Sequence, residues 1–579
     1  MRAVVHSRIM AKEREVASAA RLAAEGGIAS DESTVAELEI EANDGPAEEH
    51  EKEPDENTAW EGEYGEAGCP IWMGYSEPLR CRRELHVAPD GVDETPVCLM
   101  HSKDPRKQSG PLFDTFWLEF ERVLKDAGEG EAHFERFVFP QFHFYRRKYQ
   151  AICRFWRATF TQDAYFREAT FAQDADFFQT TFKQGADFRV AIFKKNAHFR
   201  EATFTQDANF WRATFKQGTI FSYTAFTQDA DFSWATFTQD AAFGYATFTQ
   251  DADFNYATFS QNAYFDSATF TQAAGFIDTK FHGTASWRES RFLDQAEFRN
   301  TKFDPQIAGR PSARFALARF SKPGEIVFDD VDLSHVLFHN CDVSQVWFTS
   351  SVVWRTRDDN RGFAVFEETF DDTVHPGEVA WVILHRDGQR DYRAVAQIYQ
   401  QLKKNYDSRL DYWTANEFHF GEMEMKRLAG PTSGRLLWLR RWWHPRLSFV
   451  AWYKYASDYG NSYGWPLFWL FVTLLAATLL FPVPGVGLRQ PISGNAANSA
   501  SVTYSREWNR QDSWTNNIWT EAKLIGKSGI TAIDMSTFQR TPEYTPVYPW
   551  GRVLAIVETL LTSSLFALFL LAIRRQFRR

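Results

Sequence analysis

From Phe155 to Phe303 a large ring returns at steps that alternate between five and six residues, with Trp287 standing in once. A small residue sits two places before almost every ring: Ala158, Ala164, Ala169, Ala175, Ala186, Ala191, Ala197 and Ala202. The exceptions, such as Thr180, Thr219 and Thr224, are still small. The repeating unit is eleven residues, a period that could also mean a right-handed coiled coil. Helix geometry excludes that. At about 100° per residue, Ala158, Phe160, Ala164 and Phe166 point to roughly 0°, 200°, 240° and 80°, so no face is apolar. The Thr that precedes many of the rings also suits strands better than helices.

Extended structure accounts for the pattern directly, because positions i and i+2 of a strand share a face. Each A-x-F then predicts a very short strand with both side chains inward. Between strands lie corners, of two residues (Asn255-Tyr256) or three (Thr249-Gln250-Asp251). Small beside large lets successive layers fill the interior. These stretches resemble pentapeptide-repeat proteins, whose units run A-(D/N)-L/F-x-x. Residues 331–350 follow the family's strict five-step form: VDLSH, VLFHN, CDVSQ, VWFTS. Leu333, Phe338, Val343 and Phe348 are its centres there, and Val331, Val336, Cys341 and Val346 its small inward sites. The resemblance implies a mainly β fold, a right-handed quadrilateral β-helix. One extra residue in every second unit of 155–303 gives coils of about 22 residues. The block would then make roughly six or seven coils, on the order of 32 Å at the usual strand spacing.

Helical periodicity appears outside the repeats. FDTFWLEFERVLKDAG (113–128) places Phe113, Phe116, Trp117, Phe120, Val123 and Leu124 on one side, and predicts an amphipathic helix capping the first coil. Two helices from Tyr392, the second capped by Asp411, predict an αα-hairpin. Its phrase Gly421-Glu422-Met423-Glu424-Met425-Lys426-Arg427 resembles a segment found downstream of pentapeptide repeats in membrane proteins. Two apolar runs follow. WPLFWLFVTLLAATLLFP (465–482) has no charge, and VLAIVETLLTSSLFALFLLAI (553–573) has one acid, Glu558. Each suits a membrane span or a buried core helix. Basic flanks favour spans: Arg435, Arg440, Arg441, Arg446 and Lys454 before the first, Arg574, Arg575, Arg578 and Arg579 after the second. The positive-inside bias then places both ends in the cytoplasm and 483–552 outside.

Composition adds little except by its unevenness. The chain has 579 residues, 54 of them Phe, and a net charge of −11. Acids crowd residues 31–66, while the chain ends RRQFRR, which argues against nucleic acid as the main partner and for a membrane at the basic end. Five cysteines form no secreted framework, and no apolar signal core follows Met1, so the bulk is expected to be cytosolic and reduced.

Candidate chemistry falls in four places. Cys69, Cys81, Cys98 and His101 give C-x11-C-x16-C-x2-H, a donor set for structural zinc, with His86 as an alternative ligand. The competing reading is three reduced cysteines in a small core. Tyr223, Trp234, Tyr245 and Tyr256 each stand two residues after a centre ring, hence at corners. Tyr223 should stack over Tyr245 on one corner line and Trp234 over Tyr256 on the opposite one. They form either a partner-binding ladder or rings that pack on each other. Glu417, His419, Glu422 and Glu424 do not share one helix face, so ion pairs to Lys403, Lys404, Lys426 and Arg427 are expected rather than a metal or acid–base site. Lastly, EYTPVYPWGRVLAIVE (543–558) resembles the stretch after the filter in two-helix potassium channels. Aligned on Thr545-Pro546, the filter positions are Phe538, Gln539, Arg540, Thr541 and Pro542, with Glu543 in the Asp place. Both glycines are absent, and Arg540 would put a cation where carbonyls should replace potassium's water shell, which argues against potassium selectivity. Arg540, Glu543 and the intramembrane acid Glu558 form the candidate pore region.

The sequence thus predicts an acidic disordered tail (1–65), with a short helix near 10–24, and a Cys/His module (66–110). A capping helix and lead-in segment (111–150) and the β-helix (151–350) follow. Then come a connecting segment (351–390), with a short strand and turn in WVILHRDGQ, the αα-hairpin (391–430), a basic juxtamembrane segment (431–464) and two transmembrane helices (465–579). No nucleophile–base set or phosphate loop is present, so no enzyme is expected. The expected function is a scaffold in the inner membrane, with two spans and a cytoplasmic β-helix. Its partners would be the lipid bilayer and an unknown protein, as monomer or homo-oligomer. The alternative is a membrane pore or sensor gated by the β-helix. A DNA-mimicking inhibitor, using corner acids such as Asp207, Asp229 and Asp251, ranks third.

Overall fold

The computed structural model of the chain describes residues 68–73, 79–304, 310–357, 361–369, 390–429, 443–483, 488–490, 502–504, 514–537, 545–546 and 548–577. The predicted acidic tail, the run 381–389, Arg435, Arg440, Arg441, Arg578, Arg579 and the filter positions 538–542 with Glu543 lie outside the described residues.

Residues 131–348 form a β-solenoid of about ten turns, with four parallel sheets of eight to ten strands whose members are taken in rotation along the chain. Thr170 pairs with Ile192, and Ala175 with Ala197, so equivalent residues of successive coils lie directly over one another. Every ring of the repeat is buried. Phe160 stacks on Phe182 at 4.8 Å and Phe182 on Phe204 at 4.7 Å, nearly parallel. Rings within one level meet edge to face, as Phe166 and Phe177 do at 5.8 Å. Such offset contacts add roughly 0.5–1.5 kcal/mol to the burial of each ring.

The strands are shorter than the A-x-F reading predicts. Most are two residues, alternately Thr159–Phe160 and Ala164–Tyr165 in type, and Ala296–Arg299 and Ile326–Asp329 reach four. The remaining member of each triplet belongs to a corner. At the tight corners the amide of Ala257 donates to Phe254 O at 3.1 Å, closing a turn around Asn255-Tyr256. The second corner residue has positive φ there, 60° at Tyr256, which makes the turn type II. Arg157, Glu201, Arg212, Tyr223, Trp234 and Tyr245 share this conformation, one that normally favours Gly or Asn. At the open corners a side chain replaces the turn. Asp251 Oδ1 accepts from Ala273 N, one coil on, and Asp240 Oδ1 from Asn262 N.

The Thr exceptions at the small positions have a reason too. Buried Thr180 donates its hydroxyl to Phe155 O at 2.7 Å, and Thr224 does the same to Phe199 O at 2.7 Å.

The solenoid begins earlier than expected. Its first coil is built on Phe134, Phe139, Phe144 and Tyr149, inside the region read as a lead-in. Helix α1 (Pro111–Ala127) covers this end. Phe120 stacks on Phe134 at 4.7 Å, taking the place of a ring in a coil that does not exist, and Phe116 meets Phe139 at 5.6 Å.

The far end is covered by α2 (Tyr392–Ser408) and α3 (Tyr412–Leu428), an αα-hairpin with Asp411 capping α3 through Thr414 N. Buried Asn405 donates to Val343 O and Val346 O, both at 2.7 Å, and Arg409 to Phe348 O at 2.9 Å. These carbonyls belong to the last coil and would otherwise be orphaned. Gly421 is required within the hairpin, since a Cβ there would lie 2.3 Å from the Tyr399 ring.

Beyond the hairpin lie α4 (Phe449–Ser457), α5 (Gly464–Leu480), α6 (Trp514–Ser536) and α7 (Pro549–Phe577). Among the described residues one helix, over Pro549–Arg574, is long and apolar enough to cross a membrane. Helix α5, the first predicted span, stops at 17 residues, just before Pro482. At 1.5 Å per residue that is about 26 Å, short of a hydrocarbon layer of about 30 Å.

Candidate metal centre and binding surface

The Cys/His module brings its four predicted ligands to one point. Cys69 and Cys81 flank an antiparallel pair, Trp72–Met73 with Leu79–Arg80, and Cys69 N donates to Arg83 O at 2.8 Å. Cys98 and His101 share one turn, in which the amides of His101 and Ser102 both donate to Cys98 O. The three sulfurs and a His101 nitrogen all lie within 4.8 Å of one another. Cys81 Sγ is 3.7 Å from Cys98 Sγ, and His101 Nδ1 is 3.2 Å from Cys98 Sγ and 3.4 Å from Cys69 Sγ. A tetrahedral ion with sulfur ligands at about 2.3 Å needs edges of about 3.8 Å, so the donor set fits zinc in chemistry and size.

The surroundings hold the ligands in place. His101 Nε2 lies 3.1 Å from Glu135 O in the first coil, which leaves Nδ1 facing the sulfurs. Arg83 donates to Cys81 Sγ at 3.2 Å. Hydrogen bonds with Cys69 and Cys98 hold the Cys81 thiol well below its ordinary range. Lys107, fully buried, donates to Leu99 O and Ser102 O, and burial pushes its ammonium down to about 7. His86 is not a ligand: its Nε2 pairs with Asp104 at 2.9 Å.

The corner aromatics form two stacks. Tyr223 and Tyr245 lie 4.7 Å apart with planes 1° from parallel, and Trp234 and Tyr256 lie 4.5 Å apart. Packing on each other does not hide them, since all four remain 43–55% exposed. The corner acids Asp229 and Asp251 are exposed too, but each binds the backbone of the next coil. Asp229 accepts from Asp251 N and Asp251 from Ala273 N, so these carboxylates serve the next coil.

Of the hairpin acids, Glu422 and Glu424 are ion-paired, with one lysine beyond the expected partners. Glu422 meets Lys403, Lys426 and His419. Glu424 meets Arg427 and, unexpectedly, Lys454 and Tyr459 of the α4 region. Burial opposes its ionisation, yet the contacts with Arg427, Tyr459 and Lys454 hold its carboxyl down to about 2. Among the candidate pore residues only Glu558 is described. It is 2% exposed within α7, and neither carboxylate oxygen has a partner among the described residues.

Sequence reasoning missed Asn405, Arg409, Lys107 and a lysine pair, Lys280 and Lys302. The last was detectable, since both replace the Thr that stands at Thr236 and Thr258 in the same register.

Comparison with known proteins agrees on the solenoid. A family model for pentapeptide repeats (9 copies) matches residues 155–203, 191–234, 235–280 and 265–306. No curated protein and no solved structure matches the chain.

Proposed function

We propose that the chain is a non-catalytic, membrane-anchored scaffold, in which a rigid pentapeptide-repeat solenoid presents a protein-binding surface. In this reading the four sheets make a right-handed, quadrilateral coil in the cytoplasm, and zinc at Cys69, Cys81, Cys98 and His101 locks the N-terminal module against the first coil. The scaffold role is supported by the exposed ring stacks on a framework closed at both ends.

Anchoring rests on one observation above others, the reversed polarity of α5–α7. Phe468, Phe471, Leu475, Leu479, Val553, Ile556, Leu560, Phe566 and Leu570 are exposed, while Ser528, Thr531, Glu558 and Thr562 are buried. Water would not favour that arrangement, and a hydrocarbon surround would. Trp465 and Trp469 near the start of α5, and Tyr548 and Trp550 at the start of α7, are exposed as interfacial aromatics are. With α5 thinning the bilayer locally or sitting deep, both helices would serve as spans of an inner-membrane anchor.

Crosslinking in cells tests the scaffold. A partner recovered with the wild type and lost with Tyr223→Ala/Tyr245→Ala supports it; a chain that crosslinks to nothing overturns it. One observation favours a second reading, a pore or sensor: α6 packs on both α5 and α7, as a pore helix lies between two spans. Ion flux in liposomes that changes with Arg540→Ala would put that reading first.

A further inference from the structure

The Trp234–Tyr256 stack ends abruptly. The next residues on its corner line, Asp278 and Asn300, have the same positive φ (54° and 51°) but short side chains, and Asn300 Nδ2 donates to Asp278 Oδ1. Where a third ring would stand there is a recess of about 190 Å³, lined by Trp234, Tyr256, Asp278, Lys280, Asn300 and Lys302. A cavity of about 150 Å³ suffices for one benzene ring. Lys280 and Lys302 are direct neighbours on adjacent strands, and neither has a carboxylate partner among the described residues. Like charges in register oppose each other. In the two coils before, this position is Thr236 and Thr258, so the repeat itself does not demand a lysine.

We propose that this recess is a socket for a peptide of a protein partner that carries an aromatic residue flanked by carboxylates. The ring continues the stack over Tyr256, and a neighbouring Glu or Asp lies between the two lysine ammonium groups. Continuation of the stack supplies shape, because the rings already present fix the plane and the spacing at 4.5 Å. The lysine pair supplies the sign of the flanking charge. An acid-free aromatic would leave the lysines facing each other, and an aliphatic acid would leave the Tyr256 face unstacked. The proposal rests on the scaffold reading and names the chemistry of its partner.

The test uses the full chain in detergent micelles and three fluorescent probes, GSEYEYESG, GSKYKYKSG and GSELELESG, read by anisotropy. The first should bind, with the other two weaker by about tenfold or more. Asp278→Tyr fills the socket with the stack's own next ring, in a conformation that Tyr223, Tyr245 and Tyr256 already adopt. It should weaken the first probe by about tenfold with an unchanged circular dichroism spectrum, and Lys280→Ala/Lys302→Ala should do the same. Equal binding of the three probes, binding that survives Asp278→Tyr, or no binding at all overturns the socket. None of these outcomes touches the scaffold reading, which fails separately if crosslinking recovers no partner.

Discussion

The solenoid and the C-terminal helices bury opposite things. In the solenoid, rings and alanines point inward and polar side chains cover the outside; four corner aromatics and a few other residues break that rule. In α5–α7 the large apolar side chains point outward, and a carboxylate and several hydroxyls lie inside. One chain therefore carries two polarity patterns, joined by the αα-hairpin. That contrast supports the proposed anchoring, in which the two regions face different solvents and the hairpin joins them across the change.

The largest expected effect separates the regions by metal. Structural zinc contributes on the order of 10–16 kcal/mol in zinc-finger peptides, so with the proposed zinc bound, chelation should unfold the 68–107 module and expose the first coil. Hydrogen exchange should rise there and leave α5–α7 unchanged; a rise in both regions would break the comparison. Next in size is the ring core. Phe232→Ala removes a fully buried ring and should lower solenoid stability by about 3–5 kcal/mol. Leu560→Ala, at a side chain 64% exposed, should change stability in detergent by less than about 0.5 kcal/mol. Denaturant titration of the two variants reads the contrast directly.

The joint between the regions should respond next. Asn405→Ala leaves Val343 O without its donor, while Val346 O keeps Arg409, and should cost about 2 kcal/mol, seen as faster proteolysis between hairpin and last coil. Acid should open the other side of the joint. The Glu424 carboxyl is lowered from 4.5 to about 2 in the fold, so its contribution is full above 4.5 and lost as pH falls towards 2. Fluorescence of the aromatic α4 should shift over that window, and Glu424→Gln should abolish the shift. The smallest effect is expected at an open corner. Asp251→Ala removes one bond to Ala273 N and should cost about 1 kcal/mol.

Much of this was legible in the sequence, and the limits have physical causes. The ring rhythm gave the solenoid, the small positions and both corner stacks, because one inward side chain per strand leaves a period no helix reproduces. The first coil escaped because Phe137, Phe142 and Arg147 stand where small residues should be. The left-handed corners escaped because Trp234, Arg212 and Glu201 carry none of the glycine signal that such backbone normally leaves. C-x2-H was readable as half a metal site, but closing it required folding Cys69 and Cys81 onto one hairpin and Glu135 against His101. The bonds that Asn405 and Arg409 make to the last coil connect residues far apart in sequence, and no local pattern announces them.

The proposed anchoring requires that the reversed helices α5–α7 hold a water-facing scaffold to a bilayer. Alkaline carbonate extraction of membranes from cells expressing the full chain, beside a chain ending at residue 430, tests it most directly. If α5–α7 are the anchor, the full chain stays in the membrane pellet and the shortened chain appears in the soluble fraction with its solenoid circular dichroism intact. A full chain released by carbonate, or a shortened chain that remains in the pellet, would contradict it.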